Sequence, residues 1–160
     1  MKLRDKLIEE TILVPMQATS KESANKELLT HLKSKDIISS TVKLVTNIKE
    51  QENIFTASEE RGVAYPHATC VEVNKLICAL GISTKGIDFN LPDGQDYHLI
   101  LLTLCSADDP AEHRKFISRF QFMVQNPVIR SRLNESESRD EILNIISHWE
   151  EDENLKGDML

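Results

Sequence analysis

The sequence predicts an α/β fold: a single layered domain with a mixed, mostly parallel central sheet flanked by helices. Three observations carry this. Short apolar runs of strand length alternate along the chain with stretches whose apolar residues recur at three and four. The longest runs, 76–82 and 97–105, are almost unbroken in their apolarity, as strands covered on both faces are. Cap and turn residues separate these pieces, with no internal repeat and no domain linker. Interleaving of this kind buries a sheet between helical layers.

Each element has a local reason. Residues 1–11 are charged, with Leu3, Leu7 and Ile8 at helical spacing, and predict a short opening helix. Residues 12–15 form a brief apolar run that Pro15 ends, a short strand. Thr19-Ser20-Lys21-Glu22 has the form of a capping box, and Ala24, Leu28 and Leu32 follow four apart, so a helix should reach about Ser34. A second helix is expected from Ser40, capped by Ser39 or Ser40, with Val42, Val45 and Ile48 on its core face. The polar stretch 50–60 reads as a loop leading to a strand at 62–65.

The strands at 76–82 and 97–105 are separated by turn chemistry around Gly86 and at Pro92-Asp93-Gly94. Asp109-Pro110-Ala111-Glu112 announces a helix through an Asp cap, a proline at the first helical position and an acid in the first turn. Its apolar stripe is Phe116, Ile117, Phe120 and Val124, and His113 shares that inward face. Asn126-Pro127 ends it, and 128–133 predicts a short further helix. Ser138-Arg139-Asp140-Glu141 is another capping box, followed by Ile142, Ile145, Ile146 and Trp149. The folded domain is expected over 1–150, with 151–160 a flexible acidic tail.

Composition excludes several classes. A net charge of −7 argues against nucleic-acid binding, which uses a basic patch or stripe, and against anionic membrane surfaces. No apolar stretch approaches the roughly 18 residues that a membrane span needs, and the start lacks a secretory apolar region. The expectation is a cytoplasmic protein. Cys70, Cys78 and Cys105 form no paired spacing, so neither a disulfide framework nor a zinc knuckle is expected.

The stretch Arg61-Gly62-Val63-Ala64-Tyr65-Pro66-His67-Ala68-Thr69 carries the chemistry. Proline cannot donate to a sheet ladder, so Pro66 should end the strand and leave His67 exposed beyond it. His113 opens the helix that follows another strand. In layered α/β sheets, ligand sites gather at the carboxyl ends of strands. A helix N-terminus there favours anions such as a phosphoryl group. A neutral imidazole is a competent nucleophile near pH 7, and a second could stabilise charge on the transferring oxygens. Spacing alone leaves the structural readings open as well: His67 as a turn residue, His113 as a satisfied helix-face histidine.

The run Gly62-Val63-Ala64-Tyr65-Pro66-His67-Ala68-Thr69 resembles the G-I-A-[IV]-P-H-[GA] signature around the phosphorylated histidine of enzyme IIA domains. These belong to the fructose/mannitol and nitrogen-regulatory class of the bacterial phosphotransferase system. The similarity extends over nearly the whole chain. It takes in the Thr-Ser-Lys-Glu helix start, the strands near 77–82 and 98–105, Gly86-Ile87-Asp88-Phe89 with Asp93-Gly94, and Glu112-His113.

The resemblance implies that His67 accepts a phosphoryl group from an HPr-like phosphocarrier protein or its nitrogen-branch relative. It then passes the group to a IIB domain or holds it as a signal to a regulated target. His113 would hydrogen-bond the phosphoryl group, with Thr69 in support. No cofactor or metal is implied. The lack of a fused membrane or IIB segment leads to the expectation of a free-standing protein, with regulatory use ahead of the alternative, a separately encoded sugar-uptake component.

The sequence departs from the family pattern at Gln51, sixteen residues ahead of His67, where an arginine is expected. Glutamine has no charge and no bidentate fork. Lys49 and Arg61 are the nearby cations that could compensate. Two rival readings follow: a degenerate IIA-like regulatory binding protein that is never phosphorylated, and, ranked last, a metal site from His67, Cys70 and His113.

Overall fold

The computed structural model describes residues 1–51, 62–71, 73–90, 92 and 94–158. Its frame is a hairpin of two long strands, β4 (Ile77–Asp88) and β5 (Asp96–Ser106), running antiparallel with Leu80 opposite Leu101. From Leu99 to Ser106 every residue of β5 is buried, as the unbroken apolar run requires of a central strand. Short strands complete the sheet on both sides. The first, β1 (Ile12–Leu13), lies parallel on β4. On the other side β2 (Val63–Ala64) and β3 (His67–Cys70) lie one after the other, both parallel to β5. Among the described residues the sheet is therefore mixed and mostly parallel.

Helices cover both faces. On one face α1 (Lys21–Ser34) and α2 (Val42–Gln51) pack Leu28, Leu32, Leu44 and Ile48 on Ile100 and Leu102. On the other face lie α3 (Pro110–Val124), α4 (Pro127–Glu135) and α5 (Arg139–Asp158), which with the first turns of the chain close a core around Leu101, Phe116, Phe120 and Ile146. Phe116 and Phe120 are fully buried, each contributing about 2–3 kcal/mol of apolar transfer free energy. The start of α3 is built as its sequence dictates. Asp109 caps it by accepting from the Glu112 N–H at 3.3 Å, and Pro110 occupies the first turn, where its missing donor costs nothing.

Several expectations are corrected. The opening segment is not one α-helix but two 3₁₀ turns, Leu3–Asp5 and Glu9–Thr11, that bury Leu3 and Leu7 while Ile8 is exposed. The cap of α1 is Ser20, reciprocated by Ser23, one residue later than the Thr19–Glu22 pattern suggests. In α2 the core stripe is Leu44 and Ile48; Val42 lies 77% exposed at the start of the helix. Strand β4 does not stop at Ile82. It continues through a register shift to Asp88, with Gly86 at φ +86°, where a Cβ would come within 2.8 Å of Asp96.

The acidic tail continues as helix to Asp158 rather than fraying after Trp149. Part of the reason is Glu150, which is 4% exposed. Its carboxylate accepts from the backbone N–H groups of Leu3 and Arg4 at 2.9 and 3.0 Å and pairs with the Arg119 guanidinium at 2.9 Å. A buried carboxylate is tolerated when its lone pairs are answered in this way. The contact ties the chain's start to its last helix.

Candidate functional site

Pro66 does what its chemistry requires, breaking the edge of the sheet between β2 and β3, but the chain then resumes as strand. His67 is therefore the first residue of β3 and not a residue beyond a strand end. The Pro66 carbonyl accepts from the Thr103 N–H at 3.0 Å, and His67 stands in register with Thr103 of β5. Thr103 in turn stands opposite Cys78 of β4.

His113 reaches the same point from above. In the first turn of α3 it is 8% exposed, and its Nε2 lies 2.8 Å from the Thr103 hydroxyl. The two imidazoles stack, with ring centroids 5.7 Å apart and planes 29° from parallel. Helix cap, strand register and proline break together set this geometry.

Both rings are held towards the neutral form. Burial lowers the His67 pKa, while a hydrogen bond to the Tyr65 backbone carbonyl pulls the other way. That bond places a proton on one ring nitrogen and leaves the lone pair to the other. Burial also pushes His113 down to about 4, aided by the adjacent charges of His67 and Arg114.

The folded chain thus excludes a proton that the unfolded chain binds. His113 contributes stability that is fully present above pH about 6.5 and is lost as pH falls towards about 4. Denaturant midpoints measured across this window should fall more steeply for wild type than for His113→Gln. Equal slopes would contradict the assignment.

The remaining predicted residues are dispersed. Gln51, at the end of α2, does not meet the imidazoles. Its amide pairs with the backbone of Thr69, accepting from the N–H at 2.8 Å and donating to the carbonyl at 3.0 Å. The Thr69 hydroxyl lies 3.3 Å from the Cys105 thiol. Lys49 pairs with Glu22 of α1 at 3.6 Å. Arg61 lies outside the described residues. Cys70 sits in the core on the α1–α2 side; three residues from His67 along a strand, it faces the opposite way. Among the described residues no three His, Cys, Asp or Glu side chains cluster as a metal would need.

The N-terminus of α3 is less of an anion cradle than expected, because Asp109 already answers one N–H and Glu112 pairs with Lys6 at 3.3 Å. Two contributors escaped the sequence reading: Thr103, which anchors His113, and the Tyr65 carbonyl. A signal for Thr103 exists, a small hydroxyl residue set between leucines inside the most apolar run of the chain. The Tyr65 carbonyl leaves none.

A mixed sheet sandwiched by helices, with two stacked imidazoles where β3, β5 and α3 meet, defines a layered α/β domain with a histidine-pair site. The chain matches the family model described as "Phosphoenolpyruvate-dependent sugar phosphotransferase system, EIIA 2" over residues 6–149, and it belongs to that family.

It is 28% identical over 147 residues to the PTS system fructose-specific EIIABC component of Bacillus subtilis, covering 92% of this chain but only 23% of that protein. It is 25% identical over 148 residues to a nitrogen regulatory protein of Bradyrhizobium diazoefficiens, covering 92% of this chain and 95% of the relative. In fold it is similar to nitrogen regulatory protein IIA-Ntr of Neisseria meningitidis, with a TM-score of 0.78, 22% identity, and 89% and 97% of the two chains covered. A complex of enzyme IIA mannitol with phosphorylated enzyme IIB from Escherichia coli is also similar, with a TM-score of 0.73, 19% identity, and 89% and 98% covered.

Proposed function

We propose that this IIA domain carries a phosphoryl group on His67, taken from the phosphohistidine of an HPr-like carrier in the cytoplasm. It then delivers the group to a IIB domain or holds it as a signal to a regulated target. The observation that carries this reading is the stacked His67–His113 pair, with His113 anchored on Thr103. Family membership supports it, as does the mannitol IIA relative, solved in complex with a phosphorylated IIB domain.

The step balances without a further reactant. The lone-pair nitrogen of His67 attacks phosphorus, the donor's N–P bond breaks, and its electron pair returns to the donor imidazole. Each ring keeps the proton on its other nitrogen. A donor arriving as phosphoimidazolium leaves as neutral imidazole, and His67 becomes the phosphoimidazolium whose N–H the Tyr65 carbonyl accepts. His113, neutral at pH 7, offers an N–H to the oxygens as they change hands. Positioning and charge stabilisation supply the rest.

The second reading, a IIA-like binding protein that is never phosphorylated, is favoured by one observation: Gln51 bonds to Thr69 and brings no charge to the site. One experiment separates the two. Incubation with phosphoenolpyruvate, enzyme I and HPr should add the mass of one phosphoryl group, labile in acid and stable in base. No mass increase under conditions that label a control IIA domain would leave the binding reading.

A further inference from the structure

Strand β3 forms the outer edge of the described sheet beyond β5, and in a parallel pair alternate residues turn their backbone groups towards the partner strand. Pro66 bonds to β5 through its carbonyl, so Ala68 faces β5 as well, while His67 and Thr69 present N–H and C=O outwards. An open edge of this kind is a liability that a neighbouring strand or a covering group normally relieves. At Thr69 the covering group is a side chain. The Gln51 amide accepts the outward N–H and donates to the outward carbonyl, the two bonds that a residue of an added strand would make.

The pairing requires a primary amide of glutamine's reach. Arginine has five donors and no acceptor, and would leave the Thr69 N–H unanswered; a carboxylate has acceptors only. The Gln51 oxygen and nitrogen both spend a hydrogen bond on Thr69, two residues from His67 on the same strand.

We propose that Gln51 is a positioning residue that acts on His67 through β3, closing the strand's edge at Thr69 so that the His67 ring stays stacked on His113. It is not a ligand of the phosphoryl group. Position 51 thus contributes strand order rather than charge, and stabilisation of the phosphoryl oxygens falls to His113.

The inference rests on the proposed phosphoryl transfer for its kinetic readout, but its structural half is measured on the unphosphorylated full-length chain. Gln51→Met keeps the length and loses both hydrogen bonds; Gln51→Glu keeps an acceptor; Gln51→Arg keeps only donors. Amide hydrogen exchange at Thr69 should quicken about tenfold in Gln51→Met and Gln51→Arg, the scale of one lost hydrogen bond, and change less in Gln51→Glu. The ring ¹⁵N and ¹H resonances of His67 should move in Gln51→Met, a change that a merely structural contact elsewhere on the sheet would not produce.

Phosphoryl uptake from phospho-HPr should slow about tenfold in Gln51→Met, with the half-saturating donor concentration unchanged. Any of three results would overturn the proposal: unchanged Thr69 exchange in Gln51→Met, unchanged His67 resonances in Gln51→Met, or faster-than-wild-type uptake by Gln51→Arg with Thr69 still protected. If wild type takes up no phosphoryl group, the proposed function fails, and the Thr69 and His67 measurements still decide the role of Gln51.

Discussion

A His67→Ala variant is expected to take up no phosphoryl group from phospho-HPr while keeping its fold. Alanine removes the nucleophilic nitrogen entirely, and His113, held near pKa 4 and bonded to Thr103, is not placed to substitute for it. The fold should survive because His67 is half-buried on an edge strand, and the core beneath it is built by other residues. His67→Gln, which keeps a polar side chain of similar size, should be equally inert. In both variants His113 loses a cationic neighbour, so its pKa should rise, though burial keeps it below the usual imidazole value. Imidazole ¹H NMR titration reads this independently of any activity. A variant that still becomes labelled would place the acceptor elsewhere.

His113→Ala should slow phosphoryl uptake about a hundredfold, the effect of removing one hydrogen-bond donor from developing oxygen charge. The label reached at long times should still sit on His67. Alanine also leaves the Thr103 hydroxyl, fully buried, without its partner, which costs about 1–3 kcal/mol of stability. His113→Gln separates the two effects, since its amide can still answer Thr103: stability recovers while the rate does not return to wild type. Stopped-flow or quenched-flow uptake set beside thermal unfolding gives both readouts. An unchanged rate in His113→Ala would make that histidine structural.

Much of this was legible because it is local. Asp109-Pro110 fixes where α3 begins, and the three-and-four spacing that buries Phe116 and Phe120 carries His113 inward with them. The unbroken run that became β5 called for a strand covered on both faces, and β5 lies between β4 on one side and β2 and β3 on the other, with helices over both faces. Failures came where tertiary contacts overrode local pattern. Leu3 and Leu7 are buried as the spacing suggests, but Leu3 sits on a 3₁₀ turn pinned by Glu150, a partner far along the chain, and Leu7 lies in the link to the next turn. The same carboxylate holds the last helix, which its charge pattern alone would not.

At the site, the motif put His67 in view and the helix start put His113 in view, but nothing in the sequence said that the rings would stack. Gln51 was visible only as a missing arginine. That its amide closes the edge of β3 depends on where α2 ends against that strand, a juxtaposition with no local signature. Thr103 was hidden by its setting, since a hydroxyl among leucines reads as core until the imidazole above it is seen.

Everything proposed for this site turns on His67 as the residue that carries the phosphoryl group. Its most direct test is to phosphorylate the full-length protein with phosphoenolpyruvate, enzyme I and HPr, keep it at alkaline pH, and map the added mass by peptide fragmentation. One phosphoryl group is expected, on His67 and on no other residue. Its appearance on His113 or on any other side chain would rule out His67 as the acceptor.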